Sequence, residues 1–195
     1  MKENFTITDN ETGKVYWISR AMAVAGVIIA KHKRKWYVLL ERRGPGCPDN
    51  VGKLCGVCGY LNWGETRKEA LIREGYEETG FKANPENVIE LQTIDDPARD
   101  ARENIVTRYA VIADYDEIVA GISNNIINTD TKSRGGEADE VTAFEFSTVE
   151  QLENIPSENF AFSHKEMIYD IINEVETRTF LGKTKKIFRN LFNKH

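Results

Sequence analysis

"GYLNWGETRKEALIREGYEETGF", residues 59–81, decides how the rest of the chain is read. Its second half carries helix punctuation at both ends. Thr66 is an N-cap type with Glu69 three positions on, the spacing of a capping box, and Gly80 suits the left-handed residue that closes a helix. This predicts a helix over 66–79. On a wheel of about 100° per residue, Glu74, Glu77 and Glu78 fall at i, i+3 and i+4 and share one face. Leu71, Ile72, Gly75 and Tyr76 lie around the other side. Three carboxylates stacked this closely repel one another. Either the face is simply solvated, or hard cations neutralise it. Mg²⁺ takes oxygen ligands, keeps several waters and is held by carboxylates together with substrate phosphates. Arg73, next to Glu74, is placed to pair with a carboxylate and hold its rotamer.

Just upstream stands Cys55-x-x-Cys58. With Cys47 it offers three zinc ligands, and His32 or His164 offers a fourth. Structural zinc usually shows two paired clusters, and only one pair is present. A redox dithiol normally opens a helix, whereas six residues separate Gly59 from Thr66 here. Zinc, a redox pair and compact apolar filler all stay open on the spacing alone.

The bulk composition frames this. The chain has 195 residues, 41% hydrophobic and 29% charged, which suits one soluble domain with a terminal appendage. The longest apolar run, Ala21 to Ala30, is too short to span a bilayer, so no transmembrane segment is expected. The polar, acidic start does not resemble a signal peptide, and an odd count of three cysteines points to a reducing cytoplasm. Net charge is −5, but residues 177–195 hold six of the 26 basic residues and no acidic one. The body is correspondingly more acidic, which argues against a nucleic-acid partner and suits a site that gathers divalent cations.

Along the chain, residues 1–20 read as a hairpin turning at Thr12-Gly13. "AMAVAGVIIA" and "WYVLLERR" read as a buried strand and its return, and "GPGCPDNVGK" as a loop. "LCGVCGYL" reads as a strand with a bend at Gly59. "NVIELQTI" and "NIVTRYAVIA" are strands joined by "DDPARDARE", and residues 121–138 read as a long polar loop. "EVTAFEF" alternates like a strand, and "SHKEMIYDIINEVE" is an amphipathic helix. Strands, a helix, more strands, then helices predict an α+β fold, an α/β/α sandwich with a mixed central sheet.

Gly59, Glu65 and "REGYEETGF", at their spacing, resemble the Nudix box: Gly, five positions, Glu, seven positions, Arg-Glu-aliphatic-x-Glu-Glu-x-Gly-aliphatic. Gly59, Glu65, Arg73, Glu74, Glu77, Glu78 and Gly80 all match, and Phe81 meets the last position loosely. Gly75 departs, standing where the family has an aliphatic residue. A bulky neighbour, Trp36 or Trp63, is expected to fill the space it leaves. "DDPARDARENIVTRYAV" and "AFSHKEMI" resemble segments of the subset associated with ADP-ribose hydrolysis, with Ser163 in place of an Asp. The resemblance covers roughly residues 20–175 and implies a domain over 21–176 between the hairpin and a basic amphipathic helix at 177–195.

The resemblance implies hydrolysis of the diphosphate in a nucleoside diphosphate linked to X, with ADP-ribose or a similar NAD-related compound as substrate. Mg²⁺, with Mn²⁺ as a substitute, would be held by Glu74, Glu77, Glu78 and the Gly59 carbonyl. Arg73 would orient the box glutamates, and Glu65 would brace the loop-helix turn. The general base would be a box glutamate such as Glu77, or an acid of "GGEADEV": Glu137 and Glu140 ahead of Asp139, swung in by Gly135-Gly136. Arg99 and Arg102 would grip phosphate or ribose, unless they pair with Asp95, Asp96 or Asp100. Arg42 and Arg43 are further phosphate candidates, and His164 either contacts substrate or caps and packs. Subsets with an N-terminal hairpin dimerise through it, implying a homodimer. The alternatives are a nucleoside triphosphate pyrophosphohydrolase and a non-catalytic ADP-ribose sensor. Such sensors carry a C-terminal winged helix, for which residues 177–195 are too few. The basic tail is expected to fold back onto the acidic body.

Overall fold

The computed structural model describes residues 4–99 and 102–192, with side chains as far as Thr179. Two short strands, β1 (Phe5–Thr8) and β2 (Val15–Ile18), form a hairpin apart from the main sheet, its turn closed by Gly13 at φ 68°. The apolar run becomes β3 (Met22–His32), returning as β4 (Lys35–Arg43). Then come β5 (Leu54–Cys55), β6 (Val57–Tyr60), helix α1 (Arg67–Thr79), β7 (Val88–Ile94) and β8 (Ile105–Ala113). Helix α2 (Tyr115–Ser123), β9 (Val141–Thr148), α3 (Val149–Glu153) and α4 (His164–Phe192) complete the chain.

Seven strands make the main sheet. Its path runs β5-β4-β3-β8-β7, with β6 on β3 and β9 on β4. β3 and β8 are parallel while every other pairing is antiparallel, so the sheet is mixed. β3 lies at its centre and is buried on both faces. Val24 and Ile28 pack with Leu71 of α1, and Val27 and Ile29 pack with Ile168 and Ile171 of α4. That two-sided burial is why its sequence is continuously apolar rather than alternating. The result is an α+β molecule with an α/β/α sandwich around a mixed sheet. Gly26 makes the α1 face fit: a Cβ there would come within 2.7 Å of Leu71 Cδ1.

Helix α1 begins and ends where its sequence directs. Thr66 and Glu69 form the capping box, and Gly80 takes φ 80° while its N–H donates to the Tyr76 carbonyl.

Several expectations are corrected. The strand over 54–61 breaks at Gly56, not Gly59. β5 pairs with β4 and β6 with β3, and a Cβ at Gly56 would meet the Gly26 carbonyl oxygen at 2.4 Å. Residues 121–123, read as the start of a loop, end helix α2. Asp114 caps α2 by accepting from the Asp116 and Glu117 N–H groups, and Ile118 anchors it in the core. The space at Gly75 is not filled by a tryptophan. Trp63 is 91% exposed, and Trp36 packs with the opposite core and donates to Glu176. Instead Gly75 borders a cavity of about 10 Å³ lined by Gly26, Ile28, Val57, Leu71, Phe81, Ala83 and Val111. At the C-terminal end the backbone of α4 runs on without a break from His164 to Phe192. Of the tail expected to dock, Arg178 donates to the Glu90 carbonyl at 3.0 Å, and the side chains from residue 180 onward lie outside those described.

Candidate active site

The face of α1 that carries Glu74, Glu77 and Glu78 opens onto a cleft of about 1180 Å³. This is somewhat above the usual range of about 300–1,000 Å³ for a small-ligand site. Strand β6 forms its floor. Gly59 there is obligatory because the Glu74 carboxylate lies directly against it: a Cβ would stand 2.1 Å from Glu74 Oε1. One residue earlier, the Cys58 N–H donates to Glu78 Oε2 at 3.1 Å.

Arg73 organises the rim. It donates to both carboxylate oxygens of Glu65, at 2.7 and 3.0 Å, and to the Tyr60 carbonyl at 3.0 Å. It also reaches Glu74 and Glu77, each at 2.9 Å. Glu65 in turn accepts the Asn62 N–H, so it bridges the loop and the helix. The hydrogen bonds from Arg73 hold the Glu65 carboxyl below its usual range.

Around Glu74 and Glu78, carboxylates outnumber cations. Burial pushes Glu74 up to about 7 against the pull of Arg73. Glu78 is buried and raised well above the carboxylate range by desolvation, then by Glu41, Cys58 and Glu74. Glu41 on β4, which the sequence did not single out, is likewise buried and raised by desolvation. Its Oε1 accepts from the Cys55 thiol at 3.2 Å, while Oε2 is buried with no partner among the described residues. Glu140 is raised by burial, and its carboxylate accepts the Glu137 N–H at 3.0 Å.

Glu137 and Glu140 of the "GGEADEV" loop line the cleft, and the loop backbone is fastened. The Gly44 and Gly46 N–H groups donate to the Glu140 and Asp139 carbonyls at 2.6 and 2.9 Å. A Cβ on either glycine would collide with residues 138–140. Asp139, at φ 59°, does not line the cleft. A second unforeseen residue, Arg134, holds the loop to the end of α1. It donates to the Tyr76, Glu77 and Glu78 carbonyls at 2.9, 3.2 and 3.3 Å and to Asn128 Oδ1 at 2.7 Å. No basic residue stands in the last turn of α1, so Arg134 supplies the charge that the helix C-terminus favours.

The other arginines separate. Arg43, Arg99 and Arg102 line the cleft. Arg42 does not; it turns to the Gly52 carbonyl at 2.7 Å. Arg43 is buried, donating to the Asp49 carbonyl at 3.1 Å and to its carboxylate at 3.4 Å. Arg102 pairs with Asp49, rather than with Asp95 or Asp96, and reaches the Tyr60 hydroxyl at 3.3 Å. Asp100, the other partner considered, lies outside the described residues. Arg108, unforeseen, bonds Asp170 at 3.2 Å and Ser163 at 3.5 Å. His164 is buried and its Nδ1 accepts the Gly56 N–H at 3.1 Å. Desolvation, then Arg108 and Arg43, lowers its imidazole to about 3, so it stays neutral.

The thiols are free. Cys55 is buried against Glu41, Cys47 donates to the Glu140 carbonyl at 3.3 Å, and Cys58 takes a contact from Arg43 at 3.9 Å. Among the described residues, no three His, Cys, Asp or Glu side chains converge as they stand to hold a metal ion. The donor chemistry of the cleft nevertheless suits a hard divalent cation. Glu74, Glu77, Glu78, Glu137 and Glu140 line the cleft, burial raises Glu74, Glu78 and Glu140, and one oxygen of Glu41, buried outside the lining, has no partner among the described residues. An ion held there would compete with Arg73 for Glu74 and Glu77.

A model of the NUDIX domain matches residues 19–171. No curated protein sequence matches the chain. Among solved structures, a MutT/nudix family protein from Enterococcus faecalis superposes with a TM-score of 0.63 at 17% identity. The match covers 83% of this chain and 64% of that one. The NUDIX domain of Shewanella oneidensis NrtR, solved with ADP ribose, gives 0.56 at 17% identity over 83% of this chain and 92% of that one. NrtR has also been solved with a 27mer DNA, and there this chain spans 63% of its partner at a TM-score of 0.61 and 18% identity, with 80% of this chain covered. A bifunctional NMN adenylyltransferase/ADP ribose pyrophosphatase from Francisella tularensis, solved with AMP and a manganese ion, gives 0.57 at 18% identity over 80% of this chain and 42% of that one. At these identities the likeness to solved structures is one of fold. Among the described residues, no helix is long and apolar enough to cross a membrane.

Proposed function

The chain belongs to the Nudix family, and from that premise we propose that it is a pyrophosphohydrolase acting on a nucleoside diphosphate linked to X, with ADP-ribose or a related NAD-derived compound as substrate. The observation that carries this is the acidic cleft itself: Glu74 lodged on Gly59, with Glu78 and Glu140 buried or half-buried around it and the buried Glu41 acting on Glu78 from outside the lining. Such a cluster is costly to keep unless something cationic is bound there in the working state.

Glu74, Glu77, Glu78 and the Gly59 carbonyl would hold Mg²⁺ or Mn²⁺. When bound, the ion polarises the diphosphate and lowers the pKa of an attacking water. The chain's own groups do the rest. Arg73 and Glu65 fix the rotamers of the helix carboxylates. Arg43, Arg99 and Arg102 present guanidinium groups to the phosphates and ribose along the same cleft. Glu140, with a carboxyl raised by burial, is a suitable proton acceptor, with Glu137 or Glu77 as the other candidates. Products are a nucleoside monophosphate and phosphorylated X.

Partners and place follow. The detached hairpin exposes Phe5, Ile7, Val15 and Trp17, which supports a homodimer formed through it. The cytoplasmic reading rests on the three unpaired cysteines. The acidic body favours a site without nucleic acid, although NrtR has been solved with DNA. A binding-only sensor remains the second reading, favoured by the likeness to NrtR with ADP ribose. A hydrolysis screen read by chromatography of the products decides between them, using ADP-ribose, NADH, dinucleoside polyphosphates and nucleoside triphosphates with Mg²⁺ or Mn²⁺. Turnover of ADP-ribose above the others is expected. Binding without turnover of any compound refutes the hydrolase reading.

A further inference from the structure

Phe162, between α3 and α4, sits at φ 51°, a left-handed backbone that bulky residues rarely adopt. Its neighbours impose it: the Ala161 N–H donates to the Leu54 carbonyl at 2.8 Å, and the His164 N–H to the Ala161 carbonyl at 3.1 Å. The conformation brings an aromatic ring to the wall of the cleft with 46% of the residue exposed, instead of burying it with Phe160 and Ala161. One face of the ring lies over the Arg43 guanidinium, 5.5 Å from its centroid. The His164 ring flanks it at 5.4 Å. Both supports are fixed, Arg43 by Asp49 and His164 by the Gly56 N–H. A rigid aromatic ring, polarised from behind by a buried cation and open in front, is what a flat heterocycle stacks on.

We infer that the exposed face of Phe162 is a stacking platform for the planar base of the nucleoside portion of the substrate, making it a determinant of specificity for heterocycle-bearing diphosphates. The inference rests on the nucleoside diphosphate reading of the cleft but not on turnover. The competing role, mere shielding of Arg43 from water, needs an apolar side chain but no π face. Phe162→Leu keeps the apolar cover and removes the face, while Phe162→Trp enlarges it.

Calorimetric titration of each form with AMP and with ribose 5-phosphate, in the presence of Mg²⁺, reads the difference. Phe162→Leu should weaken AMP about tenfold, change ribose 5-phosphate by less than about twofold, and Phe162→Trp should retain AMP. Equal AMP affinity in the wild type and Phe162→Leu overturns the inference. So does equal loss of both ligands, or a wild type that holds AMP no better than ribose 5-phosphate. Hydrolysis measured alongside separates the two claims. Turnover of ADP-ribose with the same KM in Phe162→Leu overturns the stacking alone. Discrimination for AMP without turnover of any diphosphate overturns the hydrolase reading alone.

Discussion

Gly75 offers the sharpest test of how α1 is built. It is buried in mid-helix, and a Cβ placed on it meets nothing within 4 Å. The space in front of it is the cavity of about 10 Å³, at the lower limit for one water. Gly75→Ala therefore gains twice. Alanine in a helix interior is favoured over glycine by about 1 kcal/mol, and a newly buried methyl adds about 0.8 kcal/mol. The sum is about 2 kcal/mol, which for a chain of this size raises Tm by about 4–8 °C. Gly75 borders this apolar cavity and does not line the acidic cleft, so kcat should not change. Gly75→Ile exceeds the cavity and must displace Leu71 or Phe81, so it should gain less than alanine or lose stability. Thermal unfolding followed by circular dichroism, with urea titration as a check, measures all three proteins. A lower Tm for Gly75→Ala refutes the packing account, and a larger gain for isoleucine shows the cavity to be bigger than described.

Other outcomes follow from the cleft. Glu78→Gln preserves an acceptor for the Cys58 N–H but removes a charge, so kcat should fall by about two orders of magnitude or more with the fold intact; wild-type turnover refutes the metal assignment. Arg134→Ala strips three carbonyls at the end of α1 of their donor and should cost about 1–3 kcal/mol in urea unfolding, with Arg134→Lys intermediate. The metal-free protein should become less stable as pH rises. Glu74 titrates near 7 when folded against a usual 4.5, so the folded state binds the extra proton and its advantage is lost through that window. Tm in chelator should fall from about pH 5 to about pH 8, with Mg²⁺ recovering more at the upper end; a flat or rising profile contradicts the burial of Glu74. Truncation after Glu176 removes the Arg178 contacts to Glu174 and the Glu90 carbonyl, and a change in stability or oligomeric state is expected if the tail docks. An unchanged protein rules the docking out.

What was legible in advance was local. The capping box, the left-handed Gly80 and the spacing of Glu74, Glu77 and Glu78 are relations between residues a few positions apart, and a helix turns them directly into geometry. The doubly buried β3 was visible because burial on two faces suppresses alternation. Helix α2 was missed because its last turn, Gly121 to Ser123, runs into an Asn-rich segment with the composition of a loop. Its capping Asp114 and buried Ile118 were the available signals.

The two main omissions in the site have a different origin. Glu41 occupies an ordinary position of a β-strand, and only the pairing of β4 with β5 and β9 brings it under the α1 carboxylates. Arg134 lies 56 residues from Glu78 and sits in a segment with no periodicity to read. Its partners are backbone carbonyls, which every residue possesses, so no side-chain pattern marks the contact. The glycine pair beside it looked like a hinge for a swinging acid. With Gly135 against Glu77 and Gly44 and Gly46 gripping residues 139–140, the same glycines serve close approach instead. A glycine-rich stretch in a sequence is compatible with freedom or with tight packing. Only the partner across the gap decides which, and here each partner is a main-chain oxygen or a carboxylate of the cleft.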